Sequence, residues 1–336
     1  MHYDILITGG LGYIGSHFLK YISGRYKNIL VLDNATRGNS AYVRNNFEVI
    51  NLDLKDKPSM LNYFKDKTIN TVVHFAAYAY VDESTKKFLA YAENNISGII
   101  NLLNICEKVE VENFVFSSSC ATYGLVEKNK IITENFKQEP INPYGWTKLV
   151  GEQILTQLNT KMKIATLRYF NATGNDKDCI LGEEHDPETH VIPLVLNAAL
   201  FQKYPNLFQK TEFTIFGDDY DTPDGTCIRD YIHIKDLCEA HFKCINKLTK
   251  SSNGFNVSYN LGAGRGVSIL EIIKEVENQV EIKMKYKVAE RREGDPPSLV
   301  AGTLLAEKNL GFKSKHSSIS EIISDVLKYK LKKLHK

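Results

Sequence analysis

Hydrophobic and polar positions follow two periods along the first half of the chain. Short apolar runs at 5–8, 29–33, 47–53, 71–75, 113–119 and 163–170 read as buried strands. Segments of helical period lie between them, at 15–23, 89–106 and 143–156. Strands alternating with helices predict an α/β fold with a parallel sheet covered on both faces. Ligands of such sheets sit beyond the carboxyl ends of the strands, so residues just after each strand are the first place to look for chemistry. From about residue 175 the pattern loosens. A helix at 190–202, strands at 213–216, 227–234 and 257–261, and helices at 268–276 and 318–328 emerge from longer polar stretches. The expected organisation is a cofactor domain over 1–174, with returning segments near 226–262. A smaller, interrupted substrate domain fills the rest of 175–336.

The first strand runs into Thr8-Gly9-Gly10-Leu11-Gly12-Tyr13-Ile14-Gly15, and a helix starts there. Glycines at 9, 12 and 15 let the backbone turn tightly and approach a pyrophosphate, whose charge meets the helix N-terminus. The following strand ends in Asp33, placed to accept hydrogen bonds from an adenosine ribose and to repel a 2′-phosphate. The fold is therefore expected to be a Rossmann-type doubly wound sheet, and the cofactor NAD rather than NADP.

The strand at 113–119 closes in Ser117-Ser118-Ser119, and Tyr144 and Lys148 follow at the start of a helix that Asn142 caps and Pro143 begins. An i, i+4 pair shares one helix face. A tyrosine of ordinary pKa about 10 is a poor base at neutral pH. The Lys148 ammonium and an oxidised nicotinamide are expected to favour its phenolate. Tyr63, Tyr231 and Tyr329 also stand four residues before a lysine, but lack this setting and are read as packing residues.

Bulk properties exclude several classes. Net charge is +2, with 24% charged residues, so nothing calls for nucleic acid or a membrane surface as partner. The basic stretch at 328–336 reads as a solvated helix end. Six cysteines show no CxxC spacing, and no apolar run approaches the roughly 18 residues of a membrane span. The start of the chain shows no leader pattern, and a reducing cytoplasmic setting is expected.

Several motifs together resemble the extended short-chain dehydrogenase/reductase family and, within it, the UDP-glucose 4-epimerases. They are TGGLGYIGSH (8–17), VVHFAAYAYVDES (72–84), ENNISG (93–98), FSSSCATYG (116–124), NPYGWTK (142–148), LRYFNATG (167–174), FGDDYDTPDGTCIRDYIHIKDL (216–237) and RREGDPPSLVAG (291–302). The resemblance implies that Gly9, Gly12, Tyr13, Ile14, Gly15, Asp33, Asn34, Arg37 and Gly38 hold the adenosine diphosphate half of NAD, with Asp53 and Leu54 beside the adenine. Phe75, Ala76, Ala77, Asn94, Tyr144, Lys148 and Phe170 would line the nicotinamide half. Ser119 and Tyr144 would face the sugar C4 hydroxyl. Asn171, His190, Val191, Ile215, Phe216, Arg229, Arg292 and Asp295 would hold UDP, and Leu299 would gate sugar size. Arg229 and Arg292 are two of only 8 arginines, and arginine grips diphosphate oxygens in a bidentate way that lysine cannot.

The implied reaction is redox-neutral: oxidation at C4, rotation of the 4-keto sugar, and re-reduction on the other face, interconverting UDP-glucose and UDP-galactose. An N-acetylated or other UDP-sugar is the alternative, because Leu299 is smaller than a tyrosine and larger than a serine. Two features depart from the family or weigh against rivals. Ala79 replaces a lysine common in the family, removing an expected phosphate contact. Cys120 and Ala121 follow Ser119 where related dehydratases carry an acid. A silent NAD-binding regulatory protein is the rival of another class, and it would be expected to lack Tyr144 or Lys148. The resemblance also implies a homodimer built from the helices at 89–106 and 143–156.

Three patterns are read as structural. His185 and His190 have a metal-ligand spacing, yet no third ligand is evident and no metal is expected. Gly262, Gly264 and Gly266 form a second glycine-rich turn. Cys120 beside Ser119 lacks a histidine base and is read as a packing residue.

Overall fold

A computed structural model describes residues 1–38, 40–126, 130–292 and 295–334. Two residues of the RREGDPP motif, Glu293 and Gly294, and the end of the basic stretch, His335 and Lys336, lie outside these. A seven-stranded sheet forms the centre. From edge to edge its strands are Asn256–Leu261, Lys163–Tyr169, Asn113–Ser119, Thr68–His74, His2–Thr8, Ile29–Asp33 and Glu48–Asn51. Every pairing within it is parallel. Strand Asn113–Ser119 is buried along its whole length, which explains why Phe114, Val115 and Phe116 run together without polar alternation. One face packs under helices Tyr13–Ile22 and Ile234–Thr249, around Phe18, Leu19, Leu237 and Ile245. The other packs under Gly98–Lys108 and Lys57–Phe64, around Met60, Leu102 and Phe114.

A second sheet is assembled from distant segments in the order Gly266–Ser268, Ile228–His233, Ser298–Ala301 and Ile131–Ile132, with Asn171–Thr173 also pairing to Ile228–His233. Helices Val191–Lys203, Ile269–Val280 and Ile319–Lys333 share a separate hydrophobic core beside it. Thr214–Phe216 pairs with Lys287–Ala289.

The structure holds several elements that the sequence reading did not name, and it departs from that reading most clearly at two helices. Helix Ile234–Thr249 was not anticipated, although Ile234, Leu237, Cys238, His241, Cys244, Ile245 and Leu248 are buried at helical spacing. Its stripe is as strongly amphipathic as that of Tyr13–Ile22, so the helical period was present in the sequence. The single helix expected over 89–106 is instead Phe88–Ala92, a π turn at Glu93–Ser97, and Gly98–Lys108. At that turn the Asn95 amide donates to Tyr78 O (3.0 Å) and to Thr147 Oγ1 (2.9 Å), and its oxygen accepts from Tyr78 N at 2.8 Å. The extra residue in the turn lets one side chain clamp two neighbouring segments. Among the described residues, no helix is long and apolar enough to cross a membrane.

Three histidines are sealed within or beside the first core. His74 bonds Thr8 Oγ1 (2.7 Å), His17 bonds Tyr13 O (2.7 Å) and His241 bonds Leu237 O (2.9 Å). Burial depresses their pKa values to about 3, 4 and 4 respectively, so each is neutral in the folded chain. The unfolded chain binds these protons near pH 6.5. The resulting stability is therefore full above that pH and is lost as pH falls toward 4 and below. Urea unfolding between pH 7 and 4 should show falling stability with net proton uptake, and His241→Phe should flatten part of the slope. A wild-type stability independent of pH between 6.5 and 4 contradicts this account.

Candidate active site

The carboxyl ends of the central strands open into one continuous cleft of about 1640 Å³. Its floor begins at the glycine loop. Gly9 has φ +71°, and a Cβ there would stand 2.5 Å from Ala76 N, so the turn tolerates no side chain. Asp33 is buried, and its carboxylate accepts from Leu11 N (2.9 Å) and Ala35 N (2.8 Å). Burial raises its pKa although both N–H groups oppose the shift. Asn34 donates to Asp53 Oδ2 at 3.0 Å, which links two strand ends along the same wall. Arg37 lies 4.4 and 4.9 Å from the ring centroids of Tyr78 and Tyr80 and is ion-paired to Glu83.

Asn142 accepts from Gly145 N at 2.8 Å and starts helix Pro143–Gln157, as its sequence requires. The helix lies so close to the segment after Ser119 that a Cβ on Gly145 would meet Ala121 O at 2.4 Å. Tyr144 therefore reaches the cleft within hydrogen-bonding range of Ser119, whose Oγ also accepts from Ala121 N (3.1 Å). Lys148 lies behind, donating to Ser117 O at 2.7 Å, with Nζ 5.9 Å from the Tyr144 ring centroid.

Electrostatics add the cost of burial to the pairing of Tyr144 with Lys148. Burial pushes the Tyr144 phenol well up, and the bond to Ser119 only partly offsets it. Burial also lowers Lys148 to about 7, against the pull of Glu152. The burial that positions the pair thus disfavours both charges, so the expected phenolate calls on the Lys148 ammonium and the oxidised nicotinamide together. Cys120 is pushed up to about 12 by burial, which suits a packing thiol and not a nucleophile.

The opposite wall carries the other named residues. Asn171, Val191, Arg229, Arg292, Asp295, Phe170 and Leu299 line it together with His190. Arg229 is oriented by Asp295 and by donation to Ile228 O at 2.8 Å. Gly12, Tyr13, Ile14, Gly15, Gly38, Leu54, Phe75, Ala77 and Asn94 line the cofactor end. Three expected residues do not line the cleft. Lys148 is behind it, Ile215 is buried in the C-terminal core, and Phe216 lies under the Arg292 guanidinium at 4.0 Å. The second glycine turn wraps Asp230, whose carboxylate accepts from Ala263 N (2.7 Å), Gly264 N (3.0 Å) and Ala301 N (3.1 Å). The reading of 185–190 missed Glu183 and Glu188, which join both histidines at the cleft wall.

With this geometry in view, comparison with known proteins is decisive. Residues 5–262 match the NAD dependent epimerase/dehydratase family. The chain belongs to that family. It is 39% identical over 327 residues to the UDP-glucose 4-epimerase of Lactobacillus helveticus, covering 97% of this chain and 96% of that protein. The Brucella ovis UDP-glucose 4-epimerase in complex with NAD superposes with a TM-score of 0.87 at 40% identity, covering 97% of this chain and 98% of that one. The Bifidobacterium longum UDP-glucose 4-epimerase in complex with NAD+ and UDP gives 0.88 at 32% identity, covering 98% of both chains. The doubly wound sheet is thus the family's NAD-binding fold, and the protein is an NAD-dependent enzyme. The close backbone at Gly9 and the carboxylate of Asp33 fit that cofactor.

Gly9→Ala should lower unfolding free energy by about 1–3 kcal/mol, because a methyl group is forced against backbone. It should also weaken NAD retention. Urea unfolding and the absorbance of the purified protein measure the two effects, and an unchanged midpoint and NAD content would show that the loop has room to spare.

Proposed function

We propose that the enzyme interconverts UDP-glucose and UDP-galactose by transient oxidation at the sugar C4, with NAD resident throughout. The observation that carries this reading is the junction of two half-sites in one cleft. The glycine loop and Asp33 lie at one end, Arg229, Arg292 and Asp295 at the other, and Tyr144 with Ser119 between them.

Bound NAD+ supplies a hydride acceptor and, once reduced, a hydride donor. The chain's own groups handle the proton and the orientation. Ser119 and Tyr144 hold the C4 hydroxyl, and Tyr144 takes its proton as C4 is oxidised and returns it when C4 is reduced. The Lys148 ammonium contributes positive charge behind the phenol, and Ser117 O fixes where that charge stands. Arg229 and Arg292 clamp the diphosphate by bidentate hydrogen bonds, while the hexose is held loosely enough to turn over. Leu299, on the same wall, limits what the sugar can carry.

The apolar residues Phe88, Leu89, Ile100 and Trp146 are exposed on the helices of the expected dimer face, which supports a homodimer as the assembly.

Incubation with UDP-galactose and, separately, UDP-N-acetylgalactosamine, followed by NMR of the 4-epimers, tests the reaction and its sugar range. UDP-glucose should form from UDP-galactose, and its absence contradicts the proposal, while turnover of the N-acetylated sugar reports how far Leu299 limits the range. Tyr144→Phe should reduce turnover by about 10²–10⁴, the usual worth of a positioned general base. Its circular dichroism and NAD content should match the parent. Near-parental turnover in that variant removes Tyr144 from the proposed role.

A further inference from the structure

The segment between strand Asn171–Thr173 and helix Val191–Lys203 places two carboxylates and two imidazoles together. Glu183, His185, Glu188 and His190 each offer one donor atom, and all four atoms lie within 4.8 Å of one another. His190 Nδ1 stands 2.9 Å from Glu183 Oε1 and 3.0 Å from Glu188 Oε1. His185 Nδ1 stands 3.3 and 3.7 Å from the same two oxygens. A tetrahedral zinc ion with bonds of about 2.0–2.1 Å spaces its ligand atoms about 3.3 Å apart. The four measured separations straddle that edge length.

A second observation is independent of spacing. The Glu183 side chain is only 2% exposed, yet neither carboxylate oxygen has an aligned hydrogen-bond donor. His185 Nδ1 also lacks an aligned partner, while the His190 nitrogen close to Glu183 is bonded to Glu188 instead. The buried Glu183 carboxylate is thus faced by two imidazole nitrogens, at 2.9 and 3.3 Å, but by no aligned N–H, and a cation held between these atoms would satisfy it better than the imidazoles do.

We propose that Glu183, His185, Glu188 and His190 bind one divalent transition-metal ion of the zinc class. Two imidazoles with two carboxylates in a tetrahedral arrangement suit Zn²⁺ or Co²⁺ better than Ca²⁺, Mg²⁺ or Mn²⁺, which favour oxygen-rich shells of six or more ligands. Four protein ligands leave a four-coordinate ion no open position, so its role is structural. The ion fastens the segment that joins the two ends of the cleft. His185 packs edge-on to Tyr13 (6.0 Å) of the glycine-loop helix and to Tyr80 (5.6 Å), and His190 caps the helix of the opposite wall.

The test uses full-length protein without a histidine tag, stripped with EDTA and titrated calorimetrically with Zn²⁺. One ion per chain should bind with a Kd on the order of micromolar or tighter, and thermal unfolding should shift upward by a few degrees at saturation. Co²⁺ should give the visible spectrum of a tetrahedral nitrogen–oxygen site without a thiolate charge-transfer band. Glu183→Gln and His185→Asn should each weaken binding at least about tenfold, the loss already seen on removing an outer hydrogen-bond partner of a ligand. Circular dichroism identifies a variant that fails to fold, and His185→Asn alters a less buried position than Glu183→Gln. Three outcomes overturn the site: millimolar or non-stoichiometric binding, a thiolate band that assigns the ion to cysteine, or affinity unchanged in both variants.

Discussion

The reacting end of the cleft depends on how closely helix Pro143–Gln157 lies on strand Asn113–Ser119. Lys148 is tied to Ser117 O, Glu152 accepts from Ser118, and Phe116 fills the space left by Gly151. Beneath these contacts Glu152 and Arg168 form a buried bidentate ion pair, with Nε to both carboxylate oxygens at 3.0 Å. Arg168 extends the network to Tyr123 (3.0 Å) and to Glu134 O (3.0 Å). Removing one partner from such a pair typically costs about 3–5 kcal/mol, because the other charge stays buried. The pair therefore does more to fix the helix in one register than to raise total stability. Tyr144 inherits its position from that register.

A related device organises the loops at the carboxyl ends of the strands. Asp33 gathers Leu11 N and Ala35 N, and Asp230 gathers three N–H groups from the second glycine turn and the strand beside it. Asp176 gathers Asp178 N, Ile180 N and Leu181 N, and Asp236 gathers Lys315 N and His316 N. A carboxylate accepts several N–H bonds at once, each stronger than a neutral one. Loops that would otherwise carry unpaired backbone donors are thereby held in one shape. Desolvation sets the cost: Asp230 is raised to about 6 despite its three donors. The same balance governs Tyr144 and Lys148, where enclosure gives position and resists charge.

The sequence by itself determined what short-range information can carry. The strands of the central sheet follow from apolar runs, the glycine loop from spacing, the acidic strand end at Asp33 from its place after the second strand, and the helix start at Asn142 from a local cap. These are effects of neighbours a few residues apart, where period and backbone preference act directly. Even the overlooked helix Ile234–Thr249 had its amphipathic stripe in the sequence. Only the tertiary structure decided what depends on residues far apart in the chain. The second sheet draws strands from residues 131 to 301, and the π turn exists because Asn95 reaches Tyr78 and Thr147. Burial raises the Tyr144 phenol and lowers the Lys148 ammonium, an opposition that the i, i+4 spacing alone does not reveal. The His185 and His190 pair looked incomplete along the chain because spacing alone cannot tell which nearby carboxylates fold inward. The backbone path brings Glu183 and Glu188 to the same point.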